Sequence, residues 1–256
     1  MPDLYFWIIA VLAVFIVALS KSGLLGSLGL VAVPMLSLVM PARDAAGMML
    51  PLLLVMDVIA IWTYRKDADW RILRIMLPGA MVGTVVGWAL WTVVSDAMVL
   101  LFVGLLTMLF ILDALLPLRK KFEGLPPSKP WGAFWGGFAG FTSFISHTGG
   151  PPFQIYTLPQ KLPPVTYSGT TAFFFAIVNT AKLVPYFFLG QLNVSNLTHA
   201  AILAPLAIVG VMVGVWLVRR ISVKRFYQIT YWLVFLLSIK LIIDGIQGVF
   251  FTGAVA

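Results

Sequence analysis

Residues Ser146 to Gln154 read SHTGGPPFQ: histidine, threonine, paired glycines, paired prolines and a glutamine inside an otherwise apolar chain. Hydrophobic residues make up 61% of the 256, charged residues only 10%, and the mean hydropathy is +1.02, which is too apolar for a surface facing water. The protein is therefore read as an integral membrane protein. In lipid, backbone released from helical hydrogen bonding finds no water, so such a run is tolerated only where protein or a water-filled cavity satisfies it. The stretch predicts a broken helix that lines a cavity.

Outward from this stretch, apolar runs fall near 4–20, 23–40, 45–64, 75–93, 97–117, 131–146, 149–164, 166–189, 197–218 and 226–243, which allows about ten crossings. No connection is long enough to fold alone, the longest polar one being Arg119 to Pro130. The N-terminus lacks the basic region of a cleaved signal peptide, so Leu4 to Ser20 is expected to remain as the first span. Lys and Arg fall on alternate connections: with ten crossings, 14 of the 17 lie on the cytoplasmic side and only Arg43 faces out. A rival eight-span layout, with both Gly/Pro segments re-entrant, would put the clusters at 65–74 and 219–225 on opposite sides. The charge rule favours ten crossings of a bacterial inner membrane, with both termini periplasmic. It also accounts for the net charge of +8 by orientation in the bilayer, without nucleic acid. The absence of cysteine removes disulfides, thiolate metal sites and Cys nucleophiles. The charge pattern says nothing about oligomeric state.

The chain also repeats itself. A shift of 122 residues superposes Leu36 on Leu158, Pro41 on Pro163, Gly47 on Gly169, Asp57 on Asn179 and Tyr64 on Tyr186. After a five-residue insertion, a shift of 127 superposes Pro78 on Pro205, Gly83 on Gly210 and Gly87 on Gly214. Each half holds five spans, an odd number, so the halves insert with opposite orientation. The expected organisation is all-α: a first repeat over 1–121, a cytoplasmic linker over 122–130 and a second repeat over 131–256. Under the same shift Thr148-Gly149-Gly150-Pro151 lies over Gly26-Ser27-Leu28-Gly29, so both halves carry a glycine-rich break after their first span. In an inverted repeat the two breaks approach the midplane from opposite faces, the usual place of a transporter's binding site.

Gly26-Ser27-Leu28-Gly29 with Val33-Pro34, Pro41 followed by Ala46-Gly47, and Gly149-Gly150-Pro151 followed by Gly169-Thr170 resemble the TauE/SafE sulfite exporter family, also called the 4-toluene sulfonate uptake permease family. The resemblance covers nearly the whole chain. It implies export, and in some members uptake, of sulfite, organosulfonates or related sulfur-containing anions.

The residues are compatible with an anion. Helix N-termini present free N–H groups and partial positive charge, and glycine lets a ligand approach that backbone. Lys21 stands at the first break and Lys182 within a span, where a lysine either snorkels or functions. The substrate-binding candidates are Lys21, Ser22, Gly26, Ser27, Gly29, His147, Thr148, Gly149, Gly150, Gln154, Thr170, Asn179 and Lys182. Asp57 and His147 are the candidates for proton coupling. Asp57 is expected to be protonated, paired with a cation such as Lys182, or hydrogen-bonded to Asn179 across the repeat axis. The Gly132/Gly136/Gly140, Gly83/Gly87 and Gly210/Gly214 spacings read as helix contacts. No cofactor or metal site is expected, and HExxH, GxSxG and cysteine motifs are absent, which weighs against an enzyme. The reading is a secondary transporter exporting small sulfur-containing anions by alternating access. The alternatives are a passive anion channel or a proton-coupled uptake permease for organosulfonates.

Overall fold

The computed structural model describes residues 4–22, 29, 32–95, 97–98, 100–102, 104–105, 108, 112, 128–218, 220 and 222–251. Among these every regular element is helical: α1 Leu4–Lys21, α2 Ala32–Leu36, α3 Ala42–Tyr64, α4 Trp70–Ala89, α5 Lys129–Ser146, α6 Gly150–Thr157 with the 3-10 turn Leu158–Gln160, α7 Pro164–Phe188, α8 Val194–Val218 and α9 Val223–Ile246. Among the described residues five helices are long and apolar enough to cross a membrane: α1, α3 from Arg43, α4, α7, and α8 through Leu217. Most of the expected span 97–117 and of the linker 122–130 lies outside the described residues, as do Gly26 and Ser27.

The stretch at 146–154 breaks for local reasons. His147 takes a left-handed conformation, φ 56°, directly after α5. This lets the Thr148 N–H return to the Thr142 carbonyl and the His147 N–H to the Ser143 carbonyl, closing the helix end. α6 then begins Gly150-Pro151-Pro152, with prolines where a helix leaves N–H groups unpaired in any case. At α4, Asp69 accepts from the N–H groups of Arg71 and Ile72, a conventional N-cap.

Glycines set the packing. An added Cβ on Gly79, Gly83 or Gly87 would overlap or crowd Ala133, Gly137 and Phe144 respectively, so α4 and α5 run side by side in the same direction with their backbones in contact. Gly136 and Gly140 return the contact onto the Met76 and Ala80 carbonyls. The same arrangement recurs between α8 and α1: Gly210 sits on Phe15 and Ala18, and Gly214 on Ser22. α3 and α7 lie antiparallel, with Gly47 near the start of α3 against Gln191 and Gly169 near the start of α7 against Asp67 and Ala68.

Among the described residues two large apolar cores result, with a small third cluster of Ala60, Tyr64 and Ala172 between α3 and α7. One joins α1, α2, α3 and α8 through residues such as Val14, Leu36, Met48 and Leu203. The other joins α4, α5, α6 and α7 through Met76, Ala139, Phe153 and Phe174. The first core is drawn mainly from α1, α2 and α3 with α8 of the later half and also takes Phe144 and Ile145 of α5, Tyr186 of α7 and Leu241 of α9; the second is drawn mainly from α5, α6 and α7 with α4 of the earlier half. Two buried hydrogen bonds repeat at the 122-residue offset: Tyr64 donates to the Ser22 carbonyl at 2.6 Å, and Tyr186 to the Phe144 carbonyl at 2.7 Å.

Candidate functional site

The two breaks and the middles of α3 and α7 enclose a cavity of about 60 Å³, roughly the room of four waters at about 15 Å³ each. Its walls pair off at the repeat offset. Lys21 faces it with Ser143, Met49 with Thr171, and Leu53 with Phe175. Asn179 completes this set, and its counterpart Asp57 lies behind it. Ser20, Gly29, His147 and Gly150 contribute polar or backbone surface.

Lys21, in the last turn of α1, pairs with Asp57 on α3, Nζ to Oδ1 2.5 Å. The other carboxylate oxygen of Asp57 accepts from Asn179 Nδ2 at 2.6 Å. The carboxylate expected to pair with Lys182 is therefore held by Lys21, and the expected bond to Asn179 is present. Asp57 is 2% exposed, so the partners hold a charge that water does not reach. One of the three ammonium protons of Lys21 is directed to Asp57; the cation also stands 5.4 Å from the Phe175 ring centroid at the cavity wall.

Lys182, on α7, is fully buried and does not line the cavity. Its Nζ reaches three acceptors: the Ser143 carbonyl at 3.0 Å, Ser143 Oγ at 3.1 Å and His147 Nδ1 at 2.8 Å. His147 Nε2 lies 2.9 Å from the Ala46 carbonyl, which can only accept, so Nε2 carries the ring proton and Nδ1 is free to accept from Lys182. Lys182 Nζ thus has three polar neighbours near the C-terminus of α5. Among the described residues the cluster is two lysines, one aspartate and one histidine.

Other expected residues have different surroundings. Thr148 exchanges bonds with Thr142 and Ser146 and ties off α5. Ser22 donates to the Leu19 carbonyl beneath Gly214. Thr170 accepts from the Asp69 N–H and donates to the Thr166 carbonyl, holding the α3–α4 turn. Gly149 lies against α5, a Cβ there falling 2.5 Å from the Ala139 carbonyl. Gln154 is buried within α6. The helix N-termini offer less than expected: α2 has five residues, and two of the first three residues of α6 are prolines without N–H groups. Ser20, Ser143, Thr171 and Phe175 line the cavity although sequence reasoning passed over them; the 122-residue shift, carried from Lys21 to Ser143, was the signal that could have found one.

A sequence model of the family described as Sulfite exporter TauE/SafE matches residues 10–241. The chain belongs to this family. The TauE/SafE match spans both breaks and every cavity residue named above. The multi-pass membrane setting and a small anionic substrate follow at the level of the family, which is one of exporters. No curated protein and no solved structure matches the chain.

Proposed function

We propose that the protein is a secondary transporter that exports a small sulfur-containing anion, sulfite or an organosulfonate, by alternating access at the cavity between α3 and α7. The observation that carries this reading is the composition of the cavity wall: repeat-equivalent residues from both halves beside a buried cluster of two lysines, an aspartate and a histidine. A site on a repeat axis is equidistant from the two faces of the membrane, and ionisable side chains there are costly to bury and mark a substrate path.

The membrane layout proposed is ten crossings in two inverted repeats, 1–121 and 131–256 joined by a cytoplasmic linker 122–130, with both termini in the periplasm of a bacterial inner membrane. Three contacts support inversion. α3 and α7, repeat-equivalent by sequence, are antiparallel, and α4 with α5 and α8 with α1 are parallel pairs. Arg65 over Trp62 and Arg220 over Trp216 place cation and indole at the ends of α3 and α8, the ends assigned to the cytoplasm.

Exchange of the fourth helices gives two bundles that can rock about the α3/α7 contact, opening the cavity to one face and then the other. Lys21 holds the anion through donors not used by Asp57, with the Ser143 hydroxyl across the cavity. Lys182 acts through the field it adds and through the orientation of Ser143 and His147. A monovalent anion leaving a cell that is negative inside gains about 2.3 kcal/mol per 100 mV, so potential alone drives export. The test is sulfite efflux from proteoliposomes: it is expected to saturate, to increase with an inside-negative valinomycin potential, and to fall at least tenfold in Lys21→Gln. Efflux indifferent to potential, or unchanged in that variant, would remove the cavity from the transport path.

A further inference from the structure

Lys21 is held from two directions. Its Nζ pairs with Asp57 Oδ1 on α3, and the same nitrogen stands over the Phe175 ring of α7, 5.4 Å from the centroid. A cation within about 6 Å of a ring centroid is drawn to the negative face of the ring, and more strongly where water is scarce. The Lys21 side chain is 12% exposed, and Phe175 lines the cavity with it. The ring is in turn fixed from α6 and from the second break. Phe153 stands 5.6 Å away, Phe174 packs edge-on at 5.1 Å, and a Cβ at Gly149 would fall 3.0 Å from Phe175 Cε1. One ring therefore joins the lysine of the first break to the glycine of the second.

The repeat supplies an internal comparison. At the 122-residue offset Lys21 corresponds to Ser143 and Phe175 to Leu53, and all four line the cavity. Where one pair sets a lysine against an aromatic ring, its equivalent is a hydroxyl and an aliphatic side chain. Leucine fills an apolar wall much as phenylalanine does but offers no negative face. The aromatic thus stands in the pair that contains the cation. A lysine has a flexible four-carbon stem, and ordering it costs binding free energy unless it is ordered beforehand. We propose that Phe175 is a positioning residue for anion binding: with Asp57 it fixes the Lys21 ammonium at the cavity wall, so that the anion meets a cation already in place. The inference rests on the anion-transport reading above and adds to it a residue that acts through Lys21.

The test is equilibrium binding of sulfite to the purified full chain in detergent, for the parent, Phe175→Leu, Phe175→Tyr, Lys21→Gln and the double variant Phe175→Leu with Lys21→Gln. Phe175→Leu copies the residue at the equivalent position and keeps apolar bulk, while Phe175→Tyr keeps the ring. The expected results are that Phe175→Leu weakens sulfite binding at least about threefold, that Phe175→Tyr stays within about twofold of the parent, and that Phe175→Leu adds no further loss once Lys21 is replaced. A residue that merely supports the fold would not show this dependence on Lys21 or this rescue by a second aromatic. Should Phe175→Leu fail to fold, Phe175→Met carries the same comparison; should Lys21→Gln bind too weakly to measure, the contrast between the aliphatic and aromatic variants decides. Phe175→Leu binding like the parent, Phe175→Tyr losing as much as Phe175→Leu, or the same loss with and without Lys21 would overturn the positioning role and leave the anion site standing. A parent chain that binds no sulfite would overturn the transport reading itself.

Discussion

At the scale of single residues, the two glycine breaks are less alike than their alignment suggests. Gly29 lines the cavity, and among the described residues an added Cβ would meet Ser20 alone, its Oγ at 3.3 Å and Cβ at 3.8 Å. Gly149 is closed in by the Ala139 carbonyl at 2.5 Å, Ser143 Cβ at 2.8 Å and the Phe175 ring at 3.0 Å. Gly149→Ala is therefore expected to lower stability by about 1–3 kcal/mol through overpacking, while Gly29→Ala leaves the melting temperature near the parental value and weakens anion binding. Thermal unfolding with and without methanesulfonate separates the two; equal destabilisation would mean that both glycines serve packing alone. Sequence could place these glycines at breaks, because no membrane helix tolerates Gly-Gly-Pro-Pro without partners. It could not distinguish a glycine kept for a ligand from one kept for a neighbouring carbonyl, which depends on the helix that packs there. The same holds for the lysines: an intramembrane lysine was legible as a candidate, but that Lys182 is directed at Ser143 and His147 while Lys21 faces the cavity is a matter of tertiary placement.

At the scale of elements, the tyrosines at the ends of α3 and α7 hold the last turns of α1 and α5. Each donates to a carbonyl 42 residues earlier in sequence, Tyr64 to Ser22 and Tyr186 to Phe144, and both are buried. Removing either hydroxyl leaves a buried carbonyl with one partner fewer, a loss of about 1–3 kcal/mol. Because the sites are repeat-equivalent, Tyr64→Phe and Tyr186→Phe are expected to lower the melting temperature by similar amounts. A large effect at one and none at the other would show that the repeat does not extend to these helix ends. The tyrosine pairing was visible in the 122-residue shift, as were the glycine faces of α4, α5 and α8. What the shift could not show is that α4 packs on α5 and α8 on α1: periodicity marks a helix face as close-packed, and the partner is fixed only by how the two halves interlock.

At the scale of the molecule, the membrane class, the all-helical fold and the family were legible from composition, apolar run length and the spacing of Gly and Pro. The ten-crossing inverted layout remains the proposal that best joins the charge alternation to the antiparallel α3/α7 contact. The cavity emerges only at this scale, since its walls come from α1, α3, α5 and α7 together. The native chain has no cysteine, so a single introduced thiol reports without background. Thr171 lines the cavity with Met49, whereas Val82 lies 65% exposed on α4, away from this cavity. The most direct measurement is the rate at which a small thiol reagent modifies Thr171→Cys and Val82→Cys in proteoliposomes, with and without sulfite. An anion bound in this cavity predicts that sulfite slows modification of Thr171→Cys at least tenfold and leaves Val82→Cys unchanged; equal rates at Thr171→Cys with and without saturating sulfite would contradict it.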